Sequence, residues 1–307
     1  MTLLPLEFRF SQHSLSDFAE CPRRFYLKYI AKQAWPLLET GPGAMDALTY
    51  QAYLRRGTVL HRWIERHWLG IGNGETVSRM EDRLPSFVRE ARSPSDPDDT
   101  ELTLWWQRFI HTDFSDVPPV RLPELELVAP VGNALLYARF DLLALLPMQT
   151  SAVSETAEVY ETPNLIIDWK TLRGEYPPNT TFFKNRLQTR IYLYVLATAG
   201  APFNNGQVIA PEQCAMRYWL ANFPERPWVT ITYSQAEYDA DAKRLHNLIE
   251  DASYRGSEAD FGKTPDERHC TYCNYRTLCQ RSGAGGATPP DEETGLIDLE
   301  TIPTLDY

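Results

Sequence analysis

The chain has 307 residues, 43% of them hydrophobic and 23% charged, with a formal net charge of −11; it can hold one large domain or two modest ones. No apolar run approaches the ~20 residues of a membrane span, and MTLLPLEFRF lacks the pattern of a secretory signal, so the expected setting is the cytoplasm with no membrane partner. Five cysteines, an odd number in such a setting, argue against a disulfide framework and toward metal or redox use. An evenly spread charge of −11 would repel nucleic acid, but Asp291–Tyr307 carries six acids and Ser95–Glu101 four, with no base in either. Both segments read as solvated connections. Bases gather elsewhere: Arg23, Arg24 and Lys28; Arg55, Arg56, Arg62 and Arg66; Lys184, Arg186 and Arg190. Such patches suit a phosphate backbone as well as a solvated helix face.

In chain order, Ser11–Lys32 reads as helical, with Ser14 and Asp17 spaced as a capping box and Pro22 marking a start or a bend. Cys21 precedes that proline. Ala47–Gly70 reads as a helix carrying GTVLHRWIERHW, with His61 on it; a lone histidine there is as well explained by packing. Arg92–Thr100 reads as a loop and Leu102–His111 as a second apolar helix, so residues 45–115 form a helical insertion ahead of a sheet. Glu124–Ala129 and Ala134–Leu146 read as a hairpin turning at Val131-Gly132-Asn133. The second strand places Asp141 among leucines, where a carboxylate needs a partner or a metal. Met148–Glu158 reads as a polar loop.

The stretch on which the rest converges is Asn164–Tyr194, entered by a strand over Val159–Lys170. Its strand ends in IIDWK, and alternation puts Asp168 and Lys170 on one face; alone, such a pair is also an ordinary ion pair. A helix over Thr181–Thr198 follows, with Gln188 and Tyr192 four apart on one side. Cys214–Asn222 and Trp228–Tyr233 read as strands, Cys214 as a core residue, and Ser234–Ser253 as a long helix. Then Cys270, Cys273 and Cys279 fall within ten residues, a spacing that draws thiolates to one metal centre. Cys21 is the candidate fourth ligand, with His269 as the alternative. GAGGATPP leads as a linker into the acidic tail.

Taken in order, Cys21 with PRRFYLKY, GTVLH, the strand aspartate, IIDWKT, QTRIY and the three-cysteine cluster resemble the PD-(D/E)XK nuclease superfamily. The resemblance is to its RecB/AddB-like branch with an iron–sulfur cluster, which includes CRISPR-adaptation exonucleases. It covers residues 11–282. It implies an α/β, restriction-endonuclease-like fold, a central mixed sheet flanked by helices. The division would be a helical region over 1–121, the nuclease core over 122–255, the iron–sulfur segment over 256–282 and a disordered acidic tail over 283–307. His61, Asp141, Asp168 and the Trp169 carbonyl would hold Mg²⁺ or Mn²⁺, and Lys170 would assist the attacking water. Gln188 and Tyr192 would keep lysine and strand in register. Cys21, Cys270, Cys273 and Cys279 would hold a [4Fe–4S] cluster, with Zn²⁺ the alternative at four thiolates. One departure is Phe140, where the superfamily's name has proline. Lys184, Arg186 and Arg190, with Phe182 and Phe183 for stacking, would meet DNA that is single-stranded or frayed at an end. The chain carries no GxxxxGK[ST] P-loop, so a helicase, or an integrase in adaptation, is the expected partner. The competing reading is a non-catalytic DNA-binding or assembly protein on the same fold; its four intact site residues speak against it.

Overall fold

A computed structural model describes residues 3–5, 7–34, 44–70, 98–146, 164–270 and 273–281. The Met148–Glu158 loop, most of Arg92–Thr100, the first residues of the strand expected from Val159, and the acidic tail lie outside the described residues. A short strand, β1 (Arg9–Ser11), leads into α1 (Gln12–Glu20). Ser11 and Ser14 form the capping box of α1, one turn earlier than expected. Asp17 instead lies inside the helix and is bonded by Arg24 (2.6 Å), Lys28 (2.9 Å) and the Tyr29 hydroxyl (2.9 Å). The chain is extended at Cys21 and restarts as α2 (Pro22–Phe25), with Pro22 in the first turn, where a missing N–H costs nothing. A π-helical turn over Tyr26–Ile30 continues it.

Two long helices follow, α3 (Ala44–Trp68) and α4 (Asp98–Ile110). Residues 98–100, expected as loop, already belong to α4. The hairpin is longer than its alternation suggests: β2 (Val120–Val131) and β3 (Ala134–Leu145) pair from Val120↔Leu145 to Val131↔Ala134. Gly132 takes the left-handed φ of +58° that this two-residue turn requires. β4 (Asn164–Lys170) is buried throughout. The expected single helix after it is two, α5 (Thr180–Lys184) and α6 (Leu187–Ala199), broken at Asn185-Arg186. β5 (Cys214–Leu220), β6 (Trp228–Thr232) and α7 (Gln235–Tyr254), capped by Ser234, complete the set.

The sheet runs β1-β3-β4-β5-β6, with β2 on the other edge of β3. β1 and β4 therefore share one edge of β3. β1 pairs in parallel at Leu135–Tyr137, and β4 pairs antiparallel at Leu142–Leu145. Between those contacts the edge opens, because β4 continues along β5 from Asp168↔Tyr218 to Lys170↔Leu220. Helices cover both faces. α1, α2, α6 and α7 pack over Phe140, Ile166, Met216 and Tyr218. α3 and α4 pack over Leu165, Ile167, Trp169 and Trp219. The two helices expected as an insertion are thus one of the fold's two outer layers.

Candidate active site

The buried alternation of β3 changes phase at Asp141. Leu136, Ala138 and Phe140 face the α6 layer, but Leu142 and Ala144 face α3 and α4. The β2–β3 ladder passes from Pro123↔Leu142 to Leu125↔Phe140 and leaves out the pair between them, Glu124 and Asp141. Glu124 holds a φ of +51°, a sparsely populated region for a residue with a Cβ. This local twist turns the Asp141 carboxylate into the open edge, where its Oδ2 accepts the Trp169 N–H (2.9 Å).

β4 brings the other groups. Asp168 and Lys170 lie on the α6 side, opposite Ile167 and Trp169, and are 1% and 2% exposed. Lys170 Nζ is 3.0 Å from Asp168 Oδ2, and Gln188 Nε2 on the first turn of α6 donates to Asp168 Oδ1 (2.7 Å). Tyr192, one turn on, packs edge-on against Phe140 with centroids 5.1 Å apart. The phenylalanine that stands where the superfamily's name has proline therefore supports the tyrosine. From the opposite layer, His61 Nε2 donates to the Trp169 carbonyl (2.9 Å), while Nδ1 lies 3.4 Å from Asp141 Oδ2.

The charges are mutually dependent. Burial alone would depress the His61 pKa, but the Asp141 carboxylate reverses this and raises it to about 9. Burial would raise Asp141; His61 and Lys170 outweigh it and hold Asp141 below the usual carboxylate range. Burial raises Asp168 to about 6, with repulsion from Asp141 adding and Lys170 opposing. Glu124, ion-paired with Arg139 (3.1 Å), is pushed up to about 7 by burial and by Asp141. Two carboxylates that share one site cannot both ionise without added positive charge. Among the described residues, no three His, Cys, Asp or Glu side chains are drawn closely enough together to hold a metal ion; the carboxylates take the partners named above.

Sequence reasoning missed Glu124 and Tyr218. Tyr218 lies under Lys170, with Nζ 6.0 Å from its ring centre, stacks on Phe183 at 4.2 Å and gives its hydroxyl hydrogen to Thr189 Oγ1 (2.6 Å); Thr189 in turn donates to the Phe183 carbonyl. Phe183 is fully buried in this stack and is not available to a nucleic-acid base. Phe182 is half-buried and carries the Arg186 guanidinium over its ring at 5.6 Å. Arg190 is bonded to Asp241 (2.9 Å), which also accepts from Tyr233, and lies 3.4 Å from Glu237. Lys184 pairs with Glu237 at 2.7 Å. Two of the three expected DNA-contacting bases are thus engaged with α7. Cys21, Cys270, Cys273 and Cys279 line one small pocket together with Arg24, His269 and Lys263. Burial raises the pKa of Cys270, Cys273 and Cys279, and the neighbouring Cys21 thiol adds to it. Cys214 lies apart in the core, its thiol pushed up to about 12 by burial.

The family model of the PD-(D/E)XK nuclease superfamily matches residues 9–280, nearly all of the chain. The chain belongs to the PD-(D/E)XK nuclease superfamily. The superfamily's chemistry is phosphodiester hydrolysis, and the mixed sheet between two helical layers is in keeping with its restriction-endonuclease-like fold. A crystal structure described as "Putative exonuclease" from Eubacterium rectale is similar at a TM-score of 0.50 and 9% identity, over 90% of this chain and 88% of that one. That likeness is one of fold. SSO0001, with TM-score 0.35 and 15% identity over 91% of this chain and 88% of that one, is too distant to carry an argument. No curated protein matches. Among the described residues, no helix is long and apolar enough to cross a membrane.

Proposed function

We propose that the chain is a metal-dependent deoxyribonuclease of the RecB/AddB-like branch, an exonuclease acting on single-stranded or frayed DNA ends in repair, recombination or CRISPR adaptation. The observation that carries this reading is the convergence at the open edge of β3. Asp141 is turned in by a break in the ladder, Asp168 is clamped between Lys170 and Gln188, and His61 reaches across from the other layer. An arrangement with so many buried charges is poor for stability and well suited to chemistry on a charged substrate. The name of the Eubacterium rectale protein is in keeping with an exonuclease.

Hard carboxylate oxygens are the donors a divalent cation takes, and to bind one these side chains would draw closer than they stand. Burial, with repulsion from Asp141, raises Asp168 to about 6 against the pull of Lys170, and His61 is favoured as the cation by Asp141. His61, Asp141, Asp168 and that carbonyl are the residues that would hold Mg²⁺ or Mn²⁺. Bound there, such an ion polarises a phosphoryl oxygen and lowers the pKa of a water. Lys170 adds fixed positive charge where negative charge develops. Gln188 fixes the Asp168 carboxylate, and Tyr192 shapes the floor beside it. Lys184 and Arg186 would border the strand next to Phe182, while Arg190 holds α6 to α7. A helicase or integrase partner would supply frayed ends. End-labelled single-stranded and duplex DNA should be shortened with Mg²⁺ or Mn²⁺ and not with EDTA. A wild-type protein that leaves every such substrate intact would sink the assignment.

A [4Fe–4S] cluster takes four thiolates, and Cys21, Cys270, Cys273 and Cys279, which line one pocket, are the residues that would hold it. Its role would be to tie α1 and α2 to the C-terminal segment. Anaerobically purified protein should be brown and absorb near ~400 nm. Cys21→Ser should bleach it, and Cys214→Ser should not. Colourless protein with stoichiometric zinc would instead identify a zinc site.

A further inference from the structure

Beyond the catalytic edge, α3, α4 and the turn after β4 bring two guanidinium groups onto one oxygen. Arg56 on α3 bonds Glu101 Oε2 on α4, and Arg173 Nη2 lies 3.8 Å from the same atom. Arg173 also lies flat over the Tyr53 ring, 3.9 Å from its centre, and Arg56 lies 5.9 Å from that centre. The Arg56 side chain is 11% exposed and that of Arg173 55%, so one guanidinium is fixed in the wall and the other faces solvent. The buried Tyr53 hydroxyl lies against Thr171 Oγ1 and the Arg173 guanidinium. The setting is held in place: Trp105, one turn after Glu101 on α4, donates to Asn222 (2.8 Å), and Asn222 donates to the Leu172 carbonyl beside Arg173 (2.9 Å).

We infer that this is a binding site for a phosphate group of the substrate, and that Glu101 occupies it as an internal carboxylate until the phosphate displaces it. The proposal rests on the nuclease reading and names a contact outside its catalytic residues. Planar guanidinium forks converging on one oxygen position suit a phosphate. The distance fits a substrate that also reaches the catalytic edge. Thr171 directly follows Lys170, and Tyr53 lies eight residues before His61 on α3, about 12 Å at the rise of an α-helix. The phosphate held here would be a few nucleotides from the bond that is cut.

The test is the affinity of the full chain for fluorescent single-stranded oligonucleotides in EDTA, where no cleavage intervenes. The oligonucleotides carry a 5′-phosphate, a 3′-phosphate or neither, and are titrated at several salt concentrations. Arg173→Gln should weaken binding about tenfold, the effect of one lost charged hydrogen bond, and lower the salt slope by about one. Glu101→Gln should tighten binding, because it removes the competing charge. Two guanidiniums that serve only to hold α3 to α4 would give the opposite result: Glu101→Gln would bind no tighter than wild type, and Arg173→Gln would bind equally well. Either outcome overturns the inference. If the Arg173 effect disappears with one terminal phosphate, the site reads that end; if it persists on all three, the site holds an internal phosphodiester. Wild-type cleavage with Mn²⁺ is measured alongside. Cleavage with unchanged affinities removes this site alone, whereas a wild type that neither binds nor cleaves removes the nuclease reading and this site with it.

Discussion

The two faces of β4 are equally buried and chemically opposite. Leu165, Ile167 and Trp169 enter a layer of aromatic rings in which Trp63, Trp105, Trp106, Phe109 and Trp219 are almost wholly removed from water. On the other face, Ile166 still packs into an apolar cluster, but toward the end of the strand Asp168 and Lys170 are just as deeply placed, with Gln188 bonded to Asp168. Successive residues of one strand thus carry opposite duties. Apolar burial on the α3 side supplies the stability that lets the α6 side hold charges which, by themselves, oppose folding. The candidate site sits where the two layers meet, since His61 belongs to the aromatic side and Asp168 to the other.

Three substitutions would break this comparison, in descending size. Phe109→Ala removes a ring packed against Trp106, Trp169 and Trp219. It should cost about 3–5 kcal/mol in denaturant unfolding; a loss under ~1 kcal/mol would show that the aromatic layer is not what carries the sheet. Asp168→Asn keeps the shape and removes the charge. DNA hydrolysis should fall about 10²–10³-fold, with a smaller drop in melting temperature than Phe109→Ala causes. A melting temperature that falls as far, with hydrolysis retained, would make the carboxylate structural. Lys184→Ala breaks a largely exposed pair with Glu237. Stability should change by less than about 1 kcal/mol, and any loss of DNA affinity should fade as salt rises. An effect on folding larger than that would place Lys184 with Arg190 among the residues that hold α7.

Much of this was readable before the fold was known, and the misses share a cause. IIDWK and the Gln188–Tyr192 spacing depend on period alone, and period is visible in a sequence. The fate of Arg190 is not, because its partner Asp241 lies on a different helix, 51 residues on. Nor is the twist at Glu124, since a skipped rung exists only between two paired strands. β1 escaped because Arg-Phe-Ser is too short to show alternation. The capping residue was placed one turn late because Ser11 and Ser14 are both good caps, and only the backbone decides between them. The helix break at Asn185-Arg186 likewise has no proline or glycine to announce it.

The pairing of β1 with β3 bears on how the molecule comes together. The β2–β3 hairpin can form as soon as both strands exist, since its partners are close along the chain. β1 must wait for a strand more than a hundred residues later, a costly closure that belongs late in folding. The same holds more strongly for the cysteine pocket, whose residues lie still farther apart in the chain. On the ribosome Cys21 is made before β2 to β6, and Cys270, Cys273 and Cys279 are made after them. The sheet can be built while one thiol waits alone, and a group that took all four cysteines would be loaded only after β6 and α7 have been made.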